Sequence, residues 1–412
     1  MHLALACWLA LLLSGPVPAE GAASIEIGPV RVIRPNDGPL VLLREQPDAP
    51  VVAVLLMVPV DEPPGLEGAA RLLQHLARDQ LEAEARRFGG RIEMRRTPGH
   101  AVYEAVGPAG ALSDLARLLR TAVGEPSAAP AELERARAAA KAEAMVELET
   151  PEPLLLRRLR ERLYPDTPDV GADAASLVAL TTADLRRFWS TRYRPVRMRA
   201  VVTGRVTAEE AQEAFRRWPE PRGRERAVTA RAPQPLTPDP QLIAPWLGVA
   251  YDASGTAPAA LAVLTVLVER SLQRSWDGPA RAETWWAGPR RALVVTASYR
   301  DGPAPRRGRG SGARAGSGSA AERLRRAIAE AGEELTAAEV AQIRRKIRRD
   351  LNFAARTPQG LARVIAEFYE RTGDPDGAPD FLAELDRVDA RAVQRALRAI
   401  LDRTPVTVEL TP

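Results

Sequence analysis

The apolar positions change period several times along the chain, and each change marks an element. Residues 51–60, VVAVLLMVPV, form an unbroken apolar run, the pattern of a strand covered on both faces. Two shorter strand-like pieces precede it, SIEIGPVRVI and GPLVLLRE. PPGLEG breaks the run, and apolar residues then recur at helical spacing from about Leu66 to Phe88, where Gly89-Gly90 supplies a left-handed stop. RIEMRRT and HAVYEAVGP alternate with period two around Pro98-Gly99 and predict a strand pair. Helices are predicted over about 109–123, 129–148 and 151–163. TTADLRRFWSTRY follows as a capped helix, VRMRAVVTG as a strand, and a helix at about 207–217 closes the first half.

Residues 218–240, WPEPRGRERAVTARAPQPLTPDP, interrupt the periodicity with proline and charge and are read as a linker. Beyond them the pattern restarts: QLIAPWLGVAY as a strand, APAALAVLTVLVERSLQ as a helix, RALVVTASY as a strand. Residues 301–320 are low-complexity, rich in Gly and Arg, and are read as a flexible loop. Long helices are predicted over about 321–331, 336–355 and 357–371. The end, VDARAVQRALRAILDRTPVTVEL, repeats the helix, proline turn and strand of 180–203. The predicted fold class is therefore α+β: two tandem homologous domains, 20–217 and 241–412, each a mostly antiparallel sheet flanked by helices.

Composition narrows the reading. Of 412 residues, 58 are Lys or Arg and 53 Asp or Glu, so the net charge is only +5. The basic residues are spread along amphipathic helices and form no stripe, which argues against a nucleic-acid partner. Residues 1–19, MHLALACWLALLLSGPVPA, have the apolar run and small-residue end of a secretion signal cleaved after Ala19. The run is too short to span a bilayer, and no other segment approaches that length. The single cysteine, Cys7, lies inside it, so the mature chain is expected in a bacterial periplasm without disulfides, thiolate ligands or an integral membrane segment.

The candidate chemistry lies in GAARLLQHLARD, residues 68–79. A zinc peptidase needs about three protein ligands, a bound water and a base for its proton. In the inverted arrangement H-x-x-E-H, two histidines at i and i+4 share a helix face and the glutamate before the second is the base. Here those positions hold Arg71, Gln74 and His75. Arginine offers only donors and cannot ligate zinc; glutamine has no basicity. On this pattern alone, Arg71 and Gln74 suit a solvated helix face.

The sequence resembles the insulinase/pitrilysin-type zinc peptidases, the inverzincins, which include mitochondrial processing peptidase. The family's G-L-A-H-F-L-E-H lies without a gap over Gly68 to His75. GGRIEMRRTPGHAVYEA resembles its Gly-Gly, strand, turn and T-x-Y segment, ending on Tyr103. LTTADLRRFWSTRYRPVRMRAVVTG matches its L-T-x-x-D-L-x-x-F pattern at Leu180, Thr181, Asp184, Leu185, Phe188, Tyr193, Pro195 and Gly204. The resemblance puts the third ligand, a glutamate on a later helix, at Glu143. It implies a degenerate member: Arg71, His75 and Glu143 are vestigial ligand positions, Gln74 a vestigial base position, and no metal or other cofactor is expected. His100, the other histidine of the mature chain, falls in a strand region away from the ligand position. The chemistry of the residues suggests that Arg71 supplies the missing positive charge and pairs with Glu143 by a bidentate bond. In the second half, RSWDGPAR aligns with the family's R-x-x-x-G-L-A-Y, which holds substrate backbone, making Arg274 and Arg281 substrate-binding candidates. Trp285 and Trp286, just beyond, are read as a wall contact or as core.

The implied role is that of a non-catalytic subunit that pairs with an active, zinc-bearing insulinase-type subunit and helps to enclose an extended peptide. A stand-alone zinc metallopeptidase with altered ligation and a periplasmic scaffold without proteolysis are the alternatives.

Overall fold

The structure is a computed structural model and describes residues 27–412 except 64, 98, 127–128, 166–173, 219–220, 222–241, 289, 301–318 and 333–334. The expected signal segment, nearly all of the expected linker and the Gly/Arg-rich loop up to residue 318 lie outside the described residues. The first elements are β1 (Arg31–Ile33), β2 (Leu40–Glu45), β3 (Val51–Pro59), α1 (Ala69–Arg87), β4 (Arg91–Thr97), β5 (His100–Pro108), α2 (Leu112–Ala122) and α3 (Pro130–Glu149). Then come α4 (Pro151–Leu163), α5 (Ala174–Ala179), α6 (Thr182–Arg192), β6 (Arg199–Gly204) and α7 (Ala208–Phe215). The rest is β7 (Trp246–Asp252), α8 (Pro258–Ser275), β8 (Ala280–Ala287), β9 (Arg290–Ser298), α9 (Ala320–Glu330), α10 (Ala337–Ala354), α11 (Pro358–Thr372), α12 (Gly377–Arg387), α13 (Ala390–Leu401) and β10 (Val406–Leu410).

The chain forms two compact units. The first takes the described parts of Met1–Val146, Pro168–Thr237 and Arg349–Asp380; the second takes those of Glu147–Thr167, Pro238–Arg348 and Phe381–Pro412. Helix α11, late in the chain, thus belongs to the first unit, and α4, early in the chain, to the second.

The first unit is built on a six-stranded sheet in the order β1-β2-β6-β3-β5-β4. Only β2 and β6 run parallel. The central strand β3 explains the unbroken apolar run. Val52, Val54, Leu56 and Val58 enter a core shared with α1, α2, α3 and α6, while Ala53, Leu55 and Met57 are buried on the opposite face. That opposite face is where α11 packs, against β3 and β6, burying Leu361, Val364, Ile365 and Phe368. Helix α1 ends as expected, with Gly89 in the left-handed region at φ +75°. Helix α6 starts with a complete capping box between Thr181 and Asp184.

The second unit carries a fully antiparallel sheet in the order β10-β7-β9-β8. Leu154, Leu155 and Leu159 of α4 pack on one face with Ala250, Trp285, Val294 and Val408. Helix α8 packs on β8, with α9 and α13 against it. Strand β8 was not predicted: its Arg281 and Glu283 interrupt the apolar pattern. Each unit is a mostly antiparallel sheet flanked by helices, the α+β class expected.

Candidate functional site

Helix α1 is held at its start by a carboxylate. Gly68, in the left-handed region at φ +83°, precedes the first turn. Its N–H donates to Glu62 Oε2 at 2.7 Å, and Ala70 N–H donates to Glu62 Oε1 at 2.9 Å. One buried side chain therefore satisfies two orphan amides and places negative charge at the positive end of the helix. Burial pushes the Glu62 carboxyl up to about 7, against the opposing pull of those two amides and of Arg71. Nothing in the periodic pattern marks Glu62; the only signal is an acidic residue just ahead of a glycine-broken helix start.

Arg71, Gln74 and His75 stand at i, i+3 and i+4 and share one face of α1. That face is not solvated, contrary to the pattern-based expectation: Arg71 is 1% exposed and Gln74 4%. The partners responsible are remote in sequence. Helix α3 buries Ala136, Ala140 and Ala144 in the same core and so lays Glu143 beside His75. His75 Nε2 lies 3.0 Å from Glu143 Oε2. Arg71 Nη1 donates to the Ala140 carbonyl at 3.4 Å and stands 4.0 Å from Glu143 Oε2. In place of the expected bidentate fork, Arg71 Nη1 makes a long ion pair to the same Glu143 oxygen that lies 3.0 Å from His75 Nε2. Burial acts most strongly on Glu143 and pushes its carboxyl up. The His75 hydrogen bond and the charges of Arg71, His75 and Arg78 together outweigh it and hold the group below the usual carboxylate range.

Gln74 is tied into the sheet. Its Nε2 donates to the Arg95 carbonyl at 3.0 Å and to the Val102 carbonyl at 3.3 Å. Arg95 and Val102 are register partners across β4 and β5, so one amide group bridges the pair. Two acceptor oxygens facing this position require a donor. A carboxylate in the same place would face two carbonyl dipoles.

His100 lies on the other side of the sheet. Ala101 and Tyr103 belong to the core beneath α1, whereas His100 Nδ1 lies 3.1 Å from Glu370 Oε1 of α11. Burial, with the Arg199 charge, pushes its imidazole down to about 4, and burial pushes Glu370 up to about 7. His100 thus does not join His75 and Glu143. Tyr103 and Tyr193, both from the motif matches, meet in the core with their hydroxyls 3.1 Å apart.

In the second unit, Arg274 ends α8 in an exposed position, its Nε donating to the Arg270 carbonyl at 3.2 Å. Arg281, on β8, lies 3.9 Å from Glu152 Oε1 of α4 and is 47% exposed. Between them Gly278 has φ +142°, and a Cβ there would meet the Ser298 carbonyl at 2.6 Å, so only glycine fits this turn. Trp285 is core: its Nε1 donates to Glu283 Oε1 at 2.7 Å and Arg160 covers its ring at 4.7 Å. Trp286 is half-buried, with Arg291 over its ring.

No family model and no curated protein matches the sequence. Solved structures do. A protease from Helicobacter pylori matches with a TM-score of 0.74 at 16% identity, covering 93% of this chain and 100% of that one. The peptidase M16 inactive domain from Pseudomonas fluorescens matches at 0.66 and 16% identity, covering 92% and 97%. The periplasmic protease PqqL from Escherichia coli matches at 0.65 and 12% identity, covering 93% of this chain and 45% of that one. The chain has the insulinase-type (M16) peptidase fold.

A zinc ion does not fit the residues that this chain presents at the position of that fold's metal site. Zinc wants three protein donors with lone pairs. Arg71 has none, and the Gln74 amide is spent on backbone carbonyls. Two donors remain, His75 Nε2 and Glu143. Among the described residues no group of three His, Cys, Asp or Glu side chains is placed to hold a metal ion. No helix among them is long and apolar enough to cross a membrane.

Proposed function

We propose that this chain is a non-catalytic companion of an active insulinase-type zinc peptidase, completing the chamber in which that partner cleaves extended peptides. The observation that carries the reading is Gln74: at the position where a proton-handling carboxylate would act, an amide is fixed as a donor to two strands. Beside it a buried guanidinium stands where a ligand would be. The helix, the sheet and the later glutamate-bearing helix are present, while Arg71 and Gln74 stand at the positions of a ligand and of the base. One structural neighbour is itself an inactive domain of an M16 peptidase.

In this reading zinc belongs to the partner, and the two chains form a hetero-oligomer in the periplasm, the compartment named for PqqL. Strand β4 ends its sheet and offers a backbone edge on which an extended peptide would pair. Arg274 and Arg281, exposed and half-exposed, would donate to peptide carbonyls. Charge-assisted hydrogen bonds of this kind contribute about 1.5–3 kcal/mol, so Arg274→Ala should lower kcat/KM of the complex by roughly 10-fold or more while assembly persists. The test is co-purification of the mature chain with its partner from the native host, then peptide cleavage by wild-type and variant complexes. Unchanged kcat/KM removes Arg274 from the peptide site.

A further inference from the structure

We infer that the Arg71 guanidinium is a built-in replacement for a metal ion, a covalently attached cation that neutralises the pocket and keeps divalent ions out of it. Nothing in this role requires a partner subunit.

The two surviving donors are still arranged as neighbours. His75 Nε2 and Glu143 Oε2 are 3.0 Å apart, whereas two donors on one tetrahedral zinc, with bonds near 2.0–2.1 Å, stand about 3.3–3.4 Å apart. Their separation is that of an ordinary hydrogen bond. Residue 71 lies one helical turn before His75 on the same face, and its guanidinium reaches to 4.0 Å from the same Glu143 oxygen. What enters is a permanent cation, 1% exposed.

A buried guanidinium persists only where anions and acceptors surround it. Here Glu143 lies on one side at 4.0 Å and the Ala140 carbonyl accepts at 3.4 Å. The charge of Arg71 also reaches Glu62, the buried cap of the same helix. Without Arg71, Glu143 would lose a permanent cation 4.0 Å away, a loss that a divalent ion would offset. With it, an ion bound to Glu143 would sit against a fixed positive charge that is itself buried, so their repulsion is only partly screened by water.

The assignment is tested by giving residue 71 a lone pair. Arg71→His should bind one zinc per chain, at least about 100-fold more tightly than wild type in competition with a chromophoric chelator. Bound zinc should raise the Tm of that variant, and EDTA should reverse the rise. Adding Glu143→Gln should abolish the gain. If the metal-free Arg71→His chain does not fold, the same measurement is made after refolding with zinc, which should rescue it. Arg71→Met provides an independent check: it keeps bulk and removes charge, so it should lower the Tm at pH 7, and Glu143→Gln should restore part of the loss. An Arg71→His chain with no gain in zinc affinity, whether folded directly or refolded with zinc, overturns the assignment. So does an Arg71→Met chain as stable as wild type.

Discussion

Gln74→Glu should destabilise the chain by about 3–5 kcal/mol at pH 7–8, the scale for a buried charge left without a partner. Wild-type Gln74 fills both of its N–H positions with the Arg95 and Val102 carbonyls. Glutamate has the same shape and the opposite hydrogen-bonding sense. Ionised, it faces two acceptors at a position 4% exposed. Protonated, it regains one donor. Its folded-state pKa should therefore rise above the ordinary glutamate value of about 4.3. Raised in this way, the group costs little below about pH 4, and its penalty grows as pH increases toward the folded-state value. Urea unfolding of wild type and variant between pH 4 and pH 8 reads the difference directly. A loss under 1 kcal/mol, or one that does not shrink on acidification, would mean that the amide does not bridge the two strands.

The second large effect is expected at Arg363. Glu104, on β5, is 1% exposed, and Arg363 Nε on α11 donates to its Oε2 at 2.7 Å. Arg363 Nη2 also reaches Glu93 Oε2 on β4 at 3.0 Å, and Gln359 donates to Glu104 from one turn earlier. Arg363→Ala leaves that buried carboxylate with the Gln359 amide as its donor from α11. Breaking a buried pair from one side costs about 3–5 kcal/mol, whereas removing both charges is often close to neutral. The single variant should thus lose about 3–5 kcal/mol, and Arg363→Met with Glu104→Gln should recover much of it. Because α11 lies late in the chain yet belongs to the first unit, the same experiment tests that placement. Wild-type stability in the single variant would contradict it.

Much of the fold was legible because it is local. The 51–60 run, the α1 periodicity closed at Gly89, the Thr181–Asp184 box and the final helix-turn-strand all rest on neighbours within a few residues. What escaped rests on distance. Strand β8 carries Arg281 and Glu283 on the side facing α4, where Glu152 and Arg160 receive them, so its charges read locally as a turn. No element is predicted over helix α12, which begins in a Gly/Pro-rich stretch.

The candidate site divides in the same way. Alignment to a known motif brought Arg71, Gln74, His75 and Glu143 together, and the structure keeps them within one neighbourhood. That Arg71 and Gln74 are buried could not be read from the helix. Their burial is decided by Ala140, Arg95 and Val102, contributed by α3 and a hairpin. Glu62 escaped because a carboxylate cap ahead of a helix leaves no periodic trace.

With the insulinase-type fold but Arg71 and Gln74 at the positions of a ligand and of the base, the chain alone should lack that fold's metal chemistry. The most direct measurement is the zinc content of the mature chain purified alone, together with a peptide-cleavage assay with and without chelator. The account predicts no stoichiometric zinc and no chelator-sensitive cleavage by the lone chain. One tightly held zinc per polypeptide, with proteolysis that chelators abolish, would contradict it.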